Sequence, residues 1–445
     1  MVFLILKSSY AFAVYEDNVS INDISVNSES VEAQEIKGTV YAQHLSNEVL
    51  FESSIFALLE ISKNNQNSDF KFGLAFDSNQ QEAQINTFSY THYFDSYEIK
   101  IGKFVSKVGV LDFFSAIDVF NTTRIQYYDE EDINLRKKPS LLAQVNFFSD
   151  EESTLSVIVA PFDNDRRSYI DQALSISLGS GVPYYLLNSG DEDIDLIARP
   201  ILLPAYEGGG KQALDRYIDG KLPEEHISIE TTTVGLNYLT YHEQATFGVM
   251  LLSGYSHIPL ITLDEDLIQA VANLDQEDKG TYISNYLTKD ENEPIKSIEY
   301  FRYHLAAIYA ETSIQSFGLR AEISYRDKFP LINTLTEQVT AGIGIDHKGE
   351  LYNNLEMQYI YMPEQDITAY YALWQLNFEP VRIGEWDTTV QSTTSYAVLE
   401  NEDIVAFIPA IKLHRKSVDI SLEYLMHSQQ EYMDNMAMLS VKAVF

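Results

Sequence analysis

The sequence predicts an all-β fold: a single closed, up-and-down antiparallel barrel of about 18 strands (16 to 18), with long loops at one end and one inward-folded loop. Three observations predict it. Apolar and polar residues alternate with a period of two, aromatic residues are spread along the whole chain, and long and short connections alternate. Together they favour a barrel that crosses a membrane over a soluble sandwich, because a sandwich needs no such alternation of connection lengths.

The period of two is clearest in the last two predicted strands. Apolar residues occupy every second position at Val418, Ile420, Leu422, Tyr424 and Met426, and again at Leu439, Val441, Ala443 and Phe445. A sheet with one apolar face and one wet face has this pattern. A terminal strand that ends on Phe445 resembles the last strand of Gram-negative outer-membrane β-barrels, in which the final residues are recognised by the barrel-assembly machinery.

The composition supports strands rather than helices as the membrane-crossing elements. The 445 residues include 30 Tyr and 23 Phe but 2 Trp and no Cys. Tyr and Phe suit the aromatic girdles of a barrel. Beyond the first residues, the chain contains no run of roughly 18 apolar residues, which is the length that a helical span needs. Strands in lipid must close on themselves to satisfy their backbone, and the lack of cysteine excludes disulfides and thiolate metal sites.

Alternation and turn residues divide the chain into 18 candidate strands. They are residues 36–44, 50–62, 69–78, 84–94, 97–104, 139–149, 153–162, 226–241, 245–256, 296–311, 315–327, 336–347, 350–361, 367–378, 386–398, 403–413, 417–427 and 435–445. The long connections, residues 105–138, 163–225 and 257–295, all follow odd-numbered strands. Short periplasmic turns and long outer loops produce this parity.

Charged residues indicate which side of each strand faces the lumen, because Lys or Arg near the middle of the lipid face costs roughly 2 to 4 kcal/mol. Lys100 is therefore expected to point inward from its strand. On the tenth strand the same rule predicts Arg302 and His304 inward and Phe301, Tyr303, Leu305, Ala307 and Tyr309 outward. On the eleventh it predicts Arg320, Glu322 and Arg326 inward. These arginines either set the field of a pore or pair with carboxylates such as Glu322; both alternatives stay open.

The connection after the fifth strand combines apolar residues with carboxylates, which predicts a loop packed against another surface. Gly102, Gly109 and Asp112 have the spacing G-x6-G-x2-D, and Asp118 to Asn121 read D-x-F-N. This region resembles the strand-to-loop region of porin-like and alginate-export-like outer-membrane proteins, although the usual Asn-Pro is Asn121-Thr122 here. The resemblance implies an inward loop whose Asp112, Asp118 and Arg124 line the constriction together with the inward strand residues. An external cap is the alternative.

The same resemblance implies an outer-membrane channel for passive diffusion of small hydrophilic solutes. Its expected partners are outer-membrane lipid and lipopolysaccharide, the assembly machinery acting through Phe445, and the solute; a homo-oligomer is left open. The rival interpretation is an adhesin or a structural barrel with a closed lumen. No enzyme and no cofactor are expected, because none of the nine histidines lies in a catalytic signature.

The charge pattern excludes nucleic acid as a partner and predicts a negative outer mouth. The chain has a net charge of -36; residues 163–225 hold 12 acidic against 6 basic residues, and residues 257–295 hold 9 against 2. Such a mouth would concentrate cations at low salt. The acidic cluster from Asp191 to Asp195 lacks the glycine and the distal glutamate of a helical calcium loop, so no metal site is expected.

The N-terminal region is expected to be an export sequence followed by a leader. Residues 1–13 read as a signal peptide that ends at Ala11-Phe12-Ala13. Because no basic residue precedes the apolar stretch, two alternatives stay open: a signal peptide whose start lies upstream of Met1, or an ordinary apolar strand. Residues 14–35 hold six acidic and no basic residues and are expected to form a periplasmic leader. Residues 36–445 would then form the barrel.

Overall fold

A computed structural model of the chain describes residues 33–46, 51–78, 82–113, 115–123, 137–149, 152–161, 189, 191–202, 228, 230–256, 259–289, 292–347, 349, 351–399, 402–428 and 436–444. The predicted signal peptide, nearly all of the predicted leader, Arg124 and Phe445 lie outside these residues. The first strand begins at Ala33, three residues before its predicted start.

The described residues form strands and three helices. The strands are β1 (Ala33–Ser46), β2 (Phe51–Asn65), β3 (Ser68–Asp77), β4 (Glu82–Tyr93), β5 (Tyr97–Phe104), β6 (Thr122–Thr123), β7 (Lys137–Lys138), β8 (Ser140–Phe148), β9 (Ser153–Ala160), β10 (Thr233–His242), β11 (Ala245–Tyr255), β12 (Leu260–Leu263), β13 (Ile295–Glu299), β14 (Arg302–Ile314), β15 (Phe317–Leu331), β16 (Thr334–His347), β17 (Leu351–Met362), β18 (Ile367–Phe378), β19 (Val381–Ile383), β20 (Trp386–Leu399), β21 (Glu402–Arg415), β22 (Val418–His427) and β23 (Met436–Val444). The helices are α1 (Glu192–Leu202), α2 (Glu265–Ala272) and α3 (Gln276–Leu287). Within the described ranges, none of the helices is both long and apolar enough to cross a membrane.

The wall of the barrel is one antiparallel sheet that closes on itself. Each wall strand pairs with its neighbours along the chain, and β1 also pairs with β23 from Thr39 opposite Val444 to Ser46 opposite Ala437. The three-residue β19 only extends the β18 side of β20, so the wall has 18 strands. The predicted fold class and strand count are therefore confirmed.

The connections at one end of the barrel are short because they are tight turns. Two-residue turns join β10 to β11, β14 to β15 and β21 to β22, and Glu243, Gln315 and Lys416 take positive φ values of 53°, 57° and 53° in them. Positive φ at the turn matches the twist of a tight hairpin. The three longest connections, after β5, β9 and β11, all leave the wall at the opposite end, as predicted.

The outer surface of the wall is apolar. Large side chains on the outward positions are between a third and two thirds exposed; examples are Phe70, Leu74, Phe88, Ile101, Leu251, Ile308, Ile323, Trp374, Ile411 and Leu422. A soluble protein rarely leaves so much contiguous apolar surface in contact with water. A closed antiparallel barrel with this exterior is the architecture of outer-membrane barrels, so the chain is placed in the cell outer membrane.

A small folded cap stands on the long-loop end. Ile197 and Ile201 of α1 pack with apolar residues of α2, α3 and the β12–β13 hairpin in one buried cluster, which Ile332 joins from the β15–β16 turn. Asn333 of the same turn accepts a hydrogen bond from the Leu263 amide at 2.6 Å. The acidic cluster before α1 is part of the helix start, because Asp191 accepts a bond from the Asp193 amide and Asp195 accepts one from the Ser189 amide.

Candidate constriction of the barrel lumen

The described first part of the connection after β5 folds into the barrel. We call these residues, 105–113 and 115–121, the inward segment. Val108, Val110, Ile117 and Phe120 are buried in one cluster with inward side chains of β8, β9, β11 and β14. The wall is an 18-stranded cylinder that side chains alone do not fill, so a segment inside it narrows the lumen. The sequence-based hypothesis of an inward loop is confirmed for these residues.

Two wall carboxylates hold the tip of the inward segment. The amides of Val110 and Leu111 donate to Oε1 of Glu322 on β15, at 2.6 and 3.0 Å. The amides of Asp112 and Phe113 donate to Oε1 and Oε2 of Glu356 on β17, at 2.7 and 2.8 Å. The Ser115 hydroxyl also contacts Glu322, at 3.0 Å from Oε2 and 3.1 Å from Oε1. Four successive amides thus point at two buried side chains, which gives the tip a single position against the wall.

A guanidinium links the same tip to the wall. Arg320 on β15 forms a salt bridge with Asp112 and donates to Oδ1 of Asn354 at 3.0 Å. It also lies 3.6 Å from Oε1 of Glu356 and 3.8 Å from Oδ2 of Asp346. Burial would raise the pKa of Asp112, but the charge and hydrogen bond of Arg320 outweigh it and lower that pKa. Arg320 is therefore engaged by several carboxylates rather than free in the lumen.

A recess in the wall receives Leu111, which is 2% exposed. Strand β16 has glycines at two successive inward positions, Gly342 and Gly344. A Cβ added at Gly342 would lie 2.5 Å from Cδ1 of Leu111, and one at Gly344 would lie 3.1 Å from Cδ2. The wall therefore lacks side chains where the segment needs to come close.

The base of the inward segment is held by Asn121. Its Oδ1 accepts from the Ser106 amide at 2.8 Å, and its Nδ2 donates to the carbonyls of Phe104 and Lys138 at 3.3 and 3.2 Å. Three stretches of chain thus meet at one side chain. Phe120 beside it lies over Gly235 of β10, where an added Cβ would come within 2.7 Å of its ring.

The structure brings some of the predicted constriction residues together. Asp112, Arg320 and Glu322 lie at the tip of the inward segment. Arg326 also points inward, four residues after Glu322 on β15, with its guanidinium 4.7 Å from the Tyr303 ring centroid and 5.7 Å from that of Phe329.

The others lie apart from the tip. Lys100 has its ammonium 4.2 Å from the centroid of the Phe104 ring. Asp118 is buried and forms a salt bridge of 2.8 Å with Lys137 at the base of the segment. Arg124 lies outside the described residues.

On β14 the structure reverses the predicted faces. Tyr303, Leu305, Ala307 and Tyr309 are 3 to 5% exposed and belong to the cluster around the inward segment. Arg302 therefore lies on the outward side, where its guanidinium donates to the Thr232 carbonyl at 2.9 Å and to the Ser253 hydroxyl at 3.0 Å. The physical reason is that a wall strand covered by an inner segment is apolar on its inward face, so alternation alone does not distinguish the two faces.

Sequence reasoning missed Glu356, Gly342 and Gly344. An inward carboxylate in a wall strand looks like any solvated lumenal charge, so Glu356 gave no separate signal. The two glycines gave a signal, because a Gly-x-Gly inside an otherwise regular strand indicates a close approach of another backbone or side chain.

A cavity of about 810 Å³ lies between the inward segment and the short-turn end of β10, β11, β14 and β15. Its lining includes Lys107, Asp112, Tyr309, Glu311 and Asp346. The lining is mixed in charge and polarity, so this space suits water and hydrophilic solutes.

Comparison with known proteins gives structural likenesses. No protein-family model matches the sequence, and no curated protein matches it. Among solved structures, the chain is similar to OccK3 (OpdO) of Pseudomonas aeruginosa, with 7% identity, a TM-score of 0.49, and coverage of 93% of this chain and 95% of that one. It is also similar to OccK5 (OpdH) of the same organism, with 6% identity, a TM-score of 0.47 and coverage of 93% and 97%. The outer membrane channel DcaP of Acinetobacter baumannii has 9% identity, a TM-score of 0.44 and coverage of 95% and 99%.

Proposed function

We propose that the protein is an outer-membrane channel through which small hydrophilic solutes diffuse passively. One observation supports this function above the rest: a loop of the barrel is fixed inside the lumen by Glu322, Glu356 and Arg320. A fixed inner loop restricts a pore of this width without any chemical step.

The inner wall supports the same proposal. On strands away from the inward segment, inward positions include polar side chains such as Thr39, Gln43, Ser89, Thr91, Gln391, Thr393, Ser421, Glu423 and Ser440. These side chains are buried among their neighbours, so they contribute the polar interior that is typical of channel barrels rather than direct contacts with a solute. Lys100, Asp112, Asp118, Arg124, Arg320, Glu322 and Arg326 stay the proposed pore residues; Arg302, on the outward side, is dropped from that set.

A second candidate, a closed barrel that serves as an adhesin or scaffold, is favoured by one observation. Tyr41, Phe56, Leu58 and Ala75 form a buried cluster of 1 to 3% exposure on the inward side of β1, β2 and β3. In an open aqueous lumen, such side chains would be exposed to water. The two functions therefore differ in whether ions pass.

Single-channel recording in planar bilayers tests the proposal. Purified wild-type barrel should give discrete conductance steps, and deletion of residues 110–130 should enlarge them. Heat-modifiable mobility on gels serves as the control that the deletion variant still forms a barrel. Wild-type protein that inserts as a barrel but conducts nothing would support the closed-lumen alternative. Unchanged conductance in the deletion variant would mean that the segment does not limit flow.

A further inference from the structure

The two glutamates that hold the inward segment use their oxygens differently. Glu356 accepts one amide on each oxygen, so both Oε1 and Oε2 face an N–H donor. Glu322 accepts both of its amides on Oε1, and its Oε2 faces the Ser115 hydroxyl at 3.0 Å. A hydroxyl accepts as well as donates, whereas an amide N–H only donates. The two carboxylates are therefore not chemically equivalent.

We propose that Glu322 and Glu356 are the positioning residues of the constriction, and that Glu356 requires a carboxylate whereas Glu322 requires only one accepting oxygen. The inference rests on the proposed channel function and adds to it, because it says which side chains set the exclusion limit. Four amides in a row form a concave donor site of the kind that binds anions. Here the wall itself supplies the anionic groups.

The surroundings of Glu356 agree with a charged side chain. Its own side chain is fully buried, and the Arg320 guanidinium lies 3.6 Å away. Arg320 is shared with Asp112 of the inward segment and with Asp346 of β16. Glu322 on β15 adds a further carboxylate nearby. The cluster thus holds several acids around one guanidinium, and the four amide N–H groups add to the compensation of the charges on Glu322 and Glu356.

The asymmetry predicts different results for the same chemical change. In Glu356→Gln the carboxamide nitrogen would face the amide of Asp112 or Phe113, donor against donor, and one partly buried amide would lose its acceptor. In Glu322→Gln the amide oxygen can take both bonds of Val110 and Leu111, while the nitrogen donates to the Ser115 hydroxyl. The shapes of the two substitutions are identical, so each variant is the matched control of the other.

The position of the tip can be measured without any current. The chain has no cysteine, so Val110→Cys introduces a single thiol, at a position 8% exposed. With a water-soluble maleimide, we expect this thiol to react slowly in the parent and in the Glu322→Gln background. In the Glu356→Gln background it should react about fivefold faster or more, since loss of the acceptor of a partly buried amide weakens the closed position by about that factor. The thiol should also react fast in the Glu322→Ala background. Slow reaction in Glu322→Gln would then show that the tip is released by loss of the accepting oxygen and not by loss of the charge.

The second measurement is the exclusion limit, read from single-channel conductance in the presence of polyethylene glycols of increasing size. Glu356→Gln should admit larger polymers and conduct more, whereas Glu322→Gln should match wild type. Equal thiol reactivity and equal exclusion in the two Gln variants would overturn the asymmetry. If thiol reactivity follows the expected order while no variant conducts, the positioning role of Glu322 and Glu356 stands and the channel function fails. If wild type conducts but neither glutamate affects the thiol or the exclusion limit, the function stands and the positioning role fails.

Discussion

Arg320 and Asp112 form a salt bridge across 208 residues of sequence, between a wall strand and the tip of the inward segment. The Arg320 side chain is 10% exposed and that of Asp112 is 32% exposed. Such a pair is costly to break on one side, because the partner is left as a poorly solvated charge. It also means that the charge of Arg320 is balanced by carboxylates of the inward segment and of the wall.

Arg320→Gln is expected to loosen the tip and to make the channel more selective for cations, because Asp112, Asp346 and Glu356 would lose their shared counter-charge. The measurement is the reversal potential under a salt gradient, at low and at high salt. Arg302→Gln is the matched control, since Arg302 lies on the outward side and its removal leaves the lumenal charge unchanged. A shift of equal size in both variants would contradict this assignment.

Gly109→Ala is expected to displace the inward segment. Gly109 has φ of 94°, and a Cβ there would lie 2.4 Å from Oγ of Ser115 and 2.5 Å from Oε1 of Glu322. Both backbone strain and a clash with the carboxylate would result. Conductance should rise while the barrel still folds. Gly280→Ala in α3 is the control, because its added Cβ meets nothing within 4 Å and conductance should stay the same.

Asn121→Ala is expected to free the base of the inward segment, because the Ser106 amide and two carbonyls lose their partner. A buried polar group without a partner costs about 1 to 3 kcal/mol. Limited proteolysis of the folded barrel should then cut the connection after β5 faster than in wild type. Asn65→Ala removes an exposed turn bond to Ser68 and should leave the cleavage pattern as it is. Identical cleavage of both variants would show that Asn121 does not hold this base.

The acidic outer connections are expected to favour entry of cations at low salt. The Debye length falls from about 10 Å at 0.1 M to about 3 Å at 1 M salt, so this bias should fade as salt is raised. Neutralising Glu265, Asp266, Glu277 and Asp278 on α2 and α3 to Gln or Asn should reduce the low-salt cation preference and leave the high-salt reversal potential unchanged. A change confined to high salt would place the relevant charges in the lumen instead.

The sequence by itself determined the barrel, because a period of two and the alternation of turn and loop lengths are local properties of the chain. It also located the inward segment, since apolar side chains in a long connection require a surface to pack against. On β15 the lipid cost of charge was enough to predict the inward side of Arg320, Glu322 and Arg326.

Only the tertiary structure decided which wall receives the segment and how it is held. The contacts of Val110 with Glu322 and of Asp112 with Glu356 join positions more than 200 residues apart, and no local pattern encodes such a pairing. The faces of β14 were reversed for the same reason. Its inward side chains are apolar because the segment covers them, and whether a strand is covered depends on the fold of another part of the chain.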